Sequence, residues 1–143
     1  MCQTIERNLL VSREANGREF EVNNPARREI GVLEVDGCLI ADHSRRVDWA
    51  VELPAGKKLR DGTRAVKLIE LKGRNVMHAF SQLESTMNHQ AMSPYRPLID
   101  EGFIVTQLSP SIVSSVQVAV IDFQDRFGIP VRVVPRAKIE AEE

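Results

Sequence analysis

The sequence predicts an α/β fold with a mixed central sheet, a three-strand antiparallel meander plus further strands, flanked by helices. Residues 29–40, 45–53 and 65–73 form three successive β-rich runs joined by turn-forming segments. After Gly73 the apolar spacing changes to a helical period, and helical and β-rich segments alternate from there to residue 134.

A chain of 143 residues fits one domain with one core. Residues 3–15 predict a short helix with Ile5, Leu9 and Leu10 inward, stopped by Asn16-Gly17. Phe20 and Val22 alternate with charged residues ahead of Asn23-Asn24-Pro25, a short strand entering a turn. The run 29–40 is the first main strand, rich in β-branched and aliphatic types, with Gly31 and Gly37 as bulge positions. A polar turn at 41–44 leads to the second strand, 45–53. Pro54-Ala55-Gly56 and Asp61-Gly62 then bound a long basic loop before the third, 65–73.

Val76, Ala79, Phe80, Leu83 and Met87 recur at helical spacing, with Asn75 placed to cap the first turn, so a helix is predicted to about Asn88. A connection with prolines at 94 and 97 leads to the apolar run Phe103–Leu108, a buried strand. A second helix starts from the cap Ser109 with Pro110 and ends at Gly128 and Pro130; its stripe is Ile112, Val113, Val116, Val120, Phe123 and Phe127. Val131–Val134 close with a strand, and the charged tail from 138 to 143 has nothing to pack and is expected to fray.

Apolar residues make up 43% of the chain, and no window approaches the roughly 18 consecutive apolar residues of a membrane span. The polar start, Met1 to Asn8, lacks the apolar stretch of a secretory signal, so a cytoplasmic chain is expected. Cys2 and Cys38 have neither CxxC spacing nor a histidine at zinc-finger distance and are expected as reduced thiols. The net charge of −1 conceals a gradient: residues 45–74 hold nine basic and four acidic residues, residues 75–128 two and five. That basic excess suits phosphate binding, and a solvated loop surface accounts for it equally well.

The chemistry centres on Leu68-Ile69-Glu70-Leu71-Lys72-Gly73. An acid-X-Lys triplet arises by chance in average composition, so its surroundings decide its meaning. Here Val66, Leu68 and Ile69 read as a strand buried on both faces, and alternation puts Glu70 and Lys72 on one face with Leu71 on the other. If the loop closes with Leu53 opposite Ala65, Asp48 faces Glu70. Two carboxylates about 5 Å apart across an antiparallel pair call for positive charge between them. One reading is a structural Glu70–Lys72 pair with Asp48 solvated. The other makes Asp48 and Glu70 oxygen ligands of Mg²⁺ or Mn²⁺, with the Leu71 carbonyl and water completing the shell and Lys72 orienting the attacking water.

Asp48, the triplet Glu70-Leu71-Lys72 and the helix from Val76 resemble the PD-(D/E)XK nuclease superfamily: an Asp on the second core strand, an acidic-X-Lys triplet on the third, then a helix. Val47 stands where the motif's name has proline. The resemblance covers residues 30 to 108 best and implies a restriction-endonuclease-like core. It also implies a Mg²⁺-dependent endonuclease hydrolysing phosphodiester bonds in nucleic acid, DNA before RNA. The alternative is a catalytically inactive nuclease-fold protein serving as a nucleic-acid-binding or assembly subunit.

The resemblance makes Gln82 a candidate catalytic residue, with His78 one turn earlier; a solvated helix face is the other reading for both. Arg45, Arg46 and Arg74 flank the motif and are candidate nucleic-acid contacts, whereas Lys57, Lys58, Arg60 and Arg64 lie at the far end of the hairpin. Glu6 is the counterpart of an acidic residue on the superfamily's first helix if 3–15 is helical, and Asp36 joins the site only if its strand register brings it to Asp48. Cys38 and Trp49 read as core, and His43 and His89 as loop residues without a role. So small a chain has little surface to grip a duplex, which makes a homodimer or a partner protein the expected way to cut both strands.

Overall fold

The computed structural model describes residues 2–15, 17–54, 64–71, 75–106 and 114–141. Val66, Leu68, Ile69 and Leu71 are all buried there, on a strand that takes neighbours on both edges and has both faces covered. The strands are β1 (Gln3–Glu6), β2 (Leu10–Ala15), β3 (Arg18–Asn23), β4 (Ile30–Glu34), β5 (Trp49–Pro54), β6 (Arg64–Leu71), β7 (Ile99–Val105), β8 (Val131–Val134) and β9 (Ala137–Glu140). Helix α1 (Val76–Asn88) lies between β6 and β7, and α2 (Ser114–Phe127) between β7 and β8.

The fold is α/β. A six-stranded mixed sheet has the order β1-β4-β5-β6-β7-β8, antiparallel through the β4–β5–β6 meander and parallel from β6 to β8. A second sheet of order β2-β3-β9 lies over one face. Strand alternation divides the apolar residues accordingly. Leu33, Ala50, Val66 and Leu68 face the helices with Ala79, Leu83, Val116 and Phe123. Val32, Val51, Ile69 and Leu71 face the small sheet with Phe20, Val22 and Ile139. The helices therefore share one face, and a second sheet covers the other.

That second sheet accounts for the main departures from the sequence reading. Residues 3–15 form β1 and β2, not a helix: β1 pairs with β4 and β2 with β3. Of the tail expected to fray, residues 138–140 instead belong to β9, parallel to β3 and pinned where the Asn23 amide donates to Glu140, while residues 142 and 143 lie outside the described residues. These strands are short: β2 is held by a local hairpin with β3, while β1 and β9 depend on partners distant in sequence, which local pattern does not encode.

The first main strand stops at Glu34, and residues 35–40 fold into a tight turn in which Gly37 takes φ +81°. Because the Glu34 N–H donates to the Cys2 carbonyl, Cys2 lies beside this turn. Cys2 and Cys38 form a disulfide, Cα atoms 5.6 Å apart, in place of the reduced thiols expected from their spacing.

Helix α1 follows its pattern: Val76, Ala79, Phe80, Leu83 and Met87 are buried, and Asn75 accepts the His78 N–H at 3.1 Å. Helix α2 buries Val116 and Phe123, and ends where the Gly128 N–H donates to the Gln124 carbonyl with φ +75°. Its expected cap, Ser109-Pro110, lies outside the described residues, as do Ile112 and Val113 of its stripe. No helix among the described residues is long and apolar enough to cross a membrane.

Candidate functional site

The hairpin closes with Leu53 opposite Ala65 and continues to Trp49 opposite Ile69, so the next step sets Asp48 beside Glu70. Glu70 shares a face with Val66 and Leu68, which line the helix-side core, and Leu71 turns to the small sheet. The two acids are cross-linked through the backbone. The Asp48 N–H donates to Glu70 Oε1 at 3.1 Å, and the Leu71 N–H donates to Asp48 Oδ2 at 2.9 Å. Glu70 is only 2% exposed. A carboxylate so deeply placed requires hydrogen-bond donors and compensating charge to remain ionised.

Asp48 precedes β5 by one residue and is positioned by contacts on both sides. From the turn, the Val35 and Asp36 N–H groups both donate to its carbonyl, at 3.1 and 3.3 Å. From the helix, Gln82 Nε2 donates to the Arg46 carbonyl at 3.0 Å, and the Val47 N–H donates to Thr86 Oγ1 at 2.9 Å. The Thr86 hydroxyl in turn donates to the Gln82 carbonyl at 2.7 Å. Two side chains one turn apart on α1 thus hold consecutive residues before Asp48. Gln82 Oε1 is buried and lacks a hydrogen-bond partner among the described residues.

Asp48, Glu70 and Leu71 are thus brought together, with Gln82 tied to the segment leading into Asp48. Lys72 and Arg74 lie outside the described residues, as do Lys57, Lys58 and Arg60. Arg46, a candidate nucleic-acid contact, instead braces the preceding loop: it pairs with Asp36 at 2.7 Å and donates to the carbonyls of Asp42 and Ser44. Arg45 is exposed and makes no ion pair or hydrogen bond among the described residues. Arg64 caps carbonyls of Glu29 and Glu52. Trp49 packs at the edge of the sheet-side core beneath the Arg13 guanidinium.

Two conditional candidates fall away. Glu34 faces Trp49, a register that keeps the Asp36 side chain off the Asp48 face and leaves it to Arg46. Glu6 lies on β1 opposite Ile30, at the far end of β4 from the turn that holds Asp48, and pairs with Arg13.

Sequence reasoning missed Thr86 and a pair in the loop beside it. Thr86 is fully buried one helical turn after Gln82, a polar position whose role depends on what packs over it. His89 Nε2 lies 2.8 Å from Asp42 Oδ2 and holds the loop to the end of α1, while its Nδ1 accepts the Ala91 N–H and caps the turn that follows. Hydrogen bonds from the Ser44 hydroxyl, from His89 and from the Ser44 N–H hold the Asp42 carboxyl well below its usual range.

The donor set of Asp48, Glu70 and the Leu71 carbonyl is all oxygen, which suits a hard divalent cation such as Mg²⁺ or Mn²⁺ and not a thiophilic one. No group of three or more His, Cys, Asp or Glu side chains gathers as a metal cage among the described residues. A cation held here would rest on two carboxylates and main chain. Comparison with known proteins finds no matching family model, no matching curated protein and no matching solved structure.

Proposed function

We propose that the chain is a metal-dependent nuclease with a restriction-endonuclease-like core, hydrolysing phosphodiester bonds in nucleic acid, DNA before RNA. The observation that carries this reading is the buried Glu70 carboxylate bonded to the main chain of Asp48 at the end of two paired strands. Placing two acids there for stability alone is costly, because apolar residues would fill the same wall without the desolvation penalty. The meander β4–β5–β6, followed by α1 and a parallel β7, supports the same reading.

In this reading Asp48, Glu70 and the Leu71 carbonyl hold Mg²⁺ or Mn²⁺, which supplies Lewis acidity to the phosphoryl oxygen and the attacking water. Lys72, two residues after Glu70 in the sequence, orients that water and offsets charge gathering on the phosphoryl group. Gln82 keeps Arg46, and through it Asp48, in register. A nuclease-fold subunit without catalysis is the alternative; the complete set of Asp48, Glu70 and Lys72 favours the enzyme.

The test incubates purified protein with single- and double-stranded DNA and RNA, with Mg²⁺, with Mn²⁺ and with chelator, beside Lys72→Ala. Cleavage that requires the cation and drops at least about 100-fold in Lys72→Ala is the expected result. Cutting that persists in chelator contradicts the mechanism, and binding without cutting by folded wild type favours the subunit.

A further inference from the structure

An open cavity of about 530 Å³ lies between the loop before β5 and the outer side of α1, lined by Ser44, Arg45, Ser81, Ser85, Asn88 and His89. The geometry points to this groove as the track for the phosphodiester strand flanking the scissile bond, with Arg45 as its phosphate contact and Ser81 and Ser85 as hydroxyl donors. The inference rests on the nuclease reading and adds to it the direction in which the substrate leaves the carboxylates.

The groove shares its walls with the segments that position the candidate centre. Arg45 stands three residues before Asp48, at most about 10 Å of extended chain, or roughly three steps of strand rise at 3.4 Å each. On the helix side, Ser81 and Ser85 each precede a residue that grips the Asp48 segment, Gln82 and Thr86. Both walls are thus set by the same hydrogen bonds that position Asp48. Spacing of i and i+4 puts the two hydroxyls on one line along α1.

Its electrostatics suit an anion. The carboxylate on the wall, Glu84, is held by the Arg126 guanidinium from α2, which pulls its pKa down and offsets its charge. The Arg96 guanidinium donates to the Met87 and His89 carbonyls, at 2.7 and 2.8 Å, covering the negative end of α1 where the groove finishes. Arg46 is committed to Asp36 and the loop, which leaves Arg45 as the lining cation available to a ligand. Serine, asparagine and one arginine match a backbone contact, which needs donors and little base discrimination.

The experiment measures anisotropy of a fluorescein-labelled 20-nucleotide DNA strand, in chelator so that no cutting occurs, against wild type, Arg45→Ala, Ser81→Ala/Ser85→Ala and Arg136→Ala. Arg136 lines a different cleft, between the two sheets. Expected are a 5- to 10-fold weaker Kd for Arg45→Ala with the salt slope reduced by about 0.7, roughly 3-fold for the serine pair, and no change for Arg136→Ala. Thermal unfolding at the wild-type temperature confirms that the variants are folded. If wild type cuts DNA with Mg²⁺ yet Arg45→Ala and the serine variant bind as wild type does, the groove assignment fails and the nuclease reading stands. If wild type neither binds nor cuts, both fail together.

Discussion

Asp48 and Glu70 are joined by reciprocal backbone support: the Asp48 amide donates to the Glu70 carboxylate, and the amide after Glu70 donates to the Asp48 carboxylate. Neither acid can shift along its strand without breaking a bond to the other. The pair is therefore set before any ligand arrives, which is what electrostatic catalysis requires of its charged groups.

Thr86 is predicted to matter more than its distance from the chemistry suggests. Thr86→Val keeps the volume but leaves the Val47 N–H unsatisfied in a buried setting, at a cost of about 1–3 kcal/mol. Urea titration should show that loss, and Thr86→Ser, which restores the acceptor, should recover most of it. Equal stability of Thr86→Val and wild type would mean the bond does not position the segment.

How far this site was legible depends on period. Strand alternation along Val66–Leu71 and the turn signals on either side of the basic loop marked the hairpin but not its register; with Leu53 taken opposite Ala65, the pairing the fold has, Asp48 meets Glu70. The helix after Gly73 was legible because Val76, Ala79, Phe80, Leu83 and Met87 keep one face. The second sheet was legible only in part: the alternation of Phe20 and Val22 marked β3, but residues 10–15 were read as helix where they pair with it, and the partner Ala137–Glu140 lies more than a hundred residues away. The disulfide and the Asp42–His89 pair were hidden for the same reason: each joins residues that only the folded backbone brings together.

Acid stability should report on the Asp42 loop. Its carboxyl is held below the ordinary value of 3.8 in the folded chain by the Ser44 hydroxyl and by His89. A depressed folded pKa stabilises the protein above the unfolded pKa, and that contribution is lost as pH falls through the range below it. Asp42→Asn should therefore lose less stability than wild type between about pH 4 and pH 2, read from urea midpoints. Parallel curves for the two proteins would count against the pair.

The Cys2–Cys38 disulfide closes a segment 36 residues long in sequence. Loop-closure entropy assigns such a bridge about 2–4 kcal/mol. Dithiothreitol or Cys2→Ser should lower the unfolding free energy by that amount, read from urea titrations, and reduction should leave Cys2→Ser unchanged. A wild type indifferent to reductant would show that the bond contributes nothing to folding.

Calorimetric titration with Mn²⁺ tests the central claim most directly. Wild type should bind one ion with measurable heat, and Glu70→Gln and Asp48→Asn, which keep shape and remove charge, should each weaken binding by at least tenfold while remaining folded. Undiminished binding in both variants, or none in wild type, would contradict a metal centre built on Asp48 and Glu70.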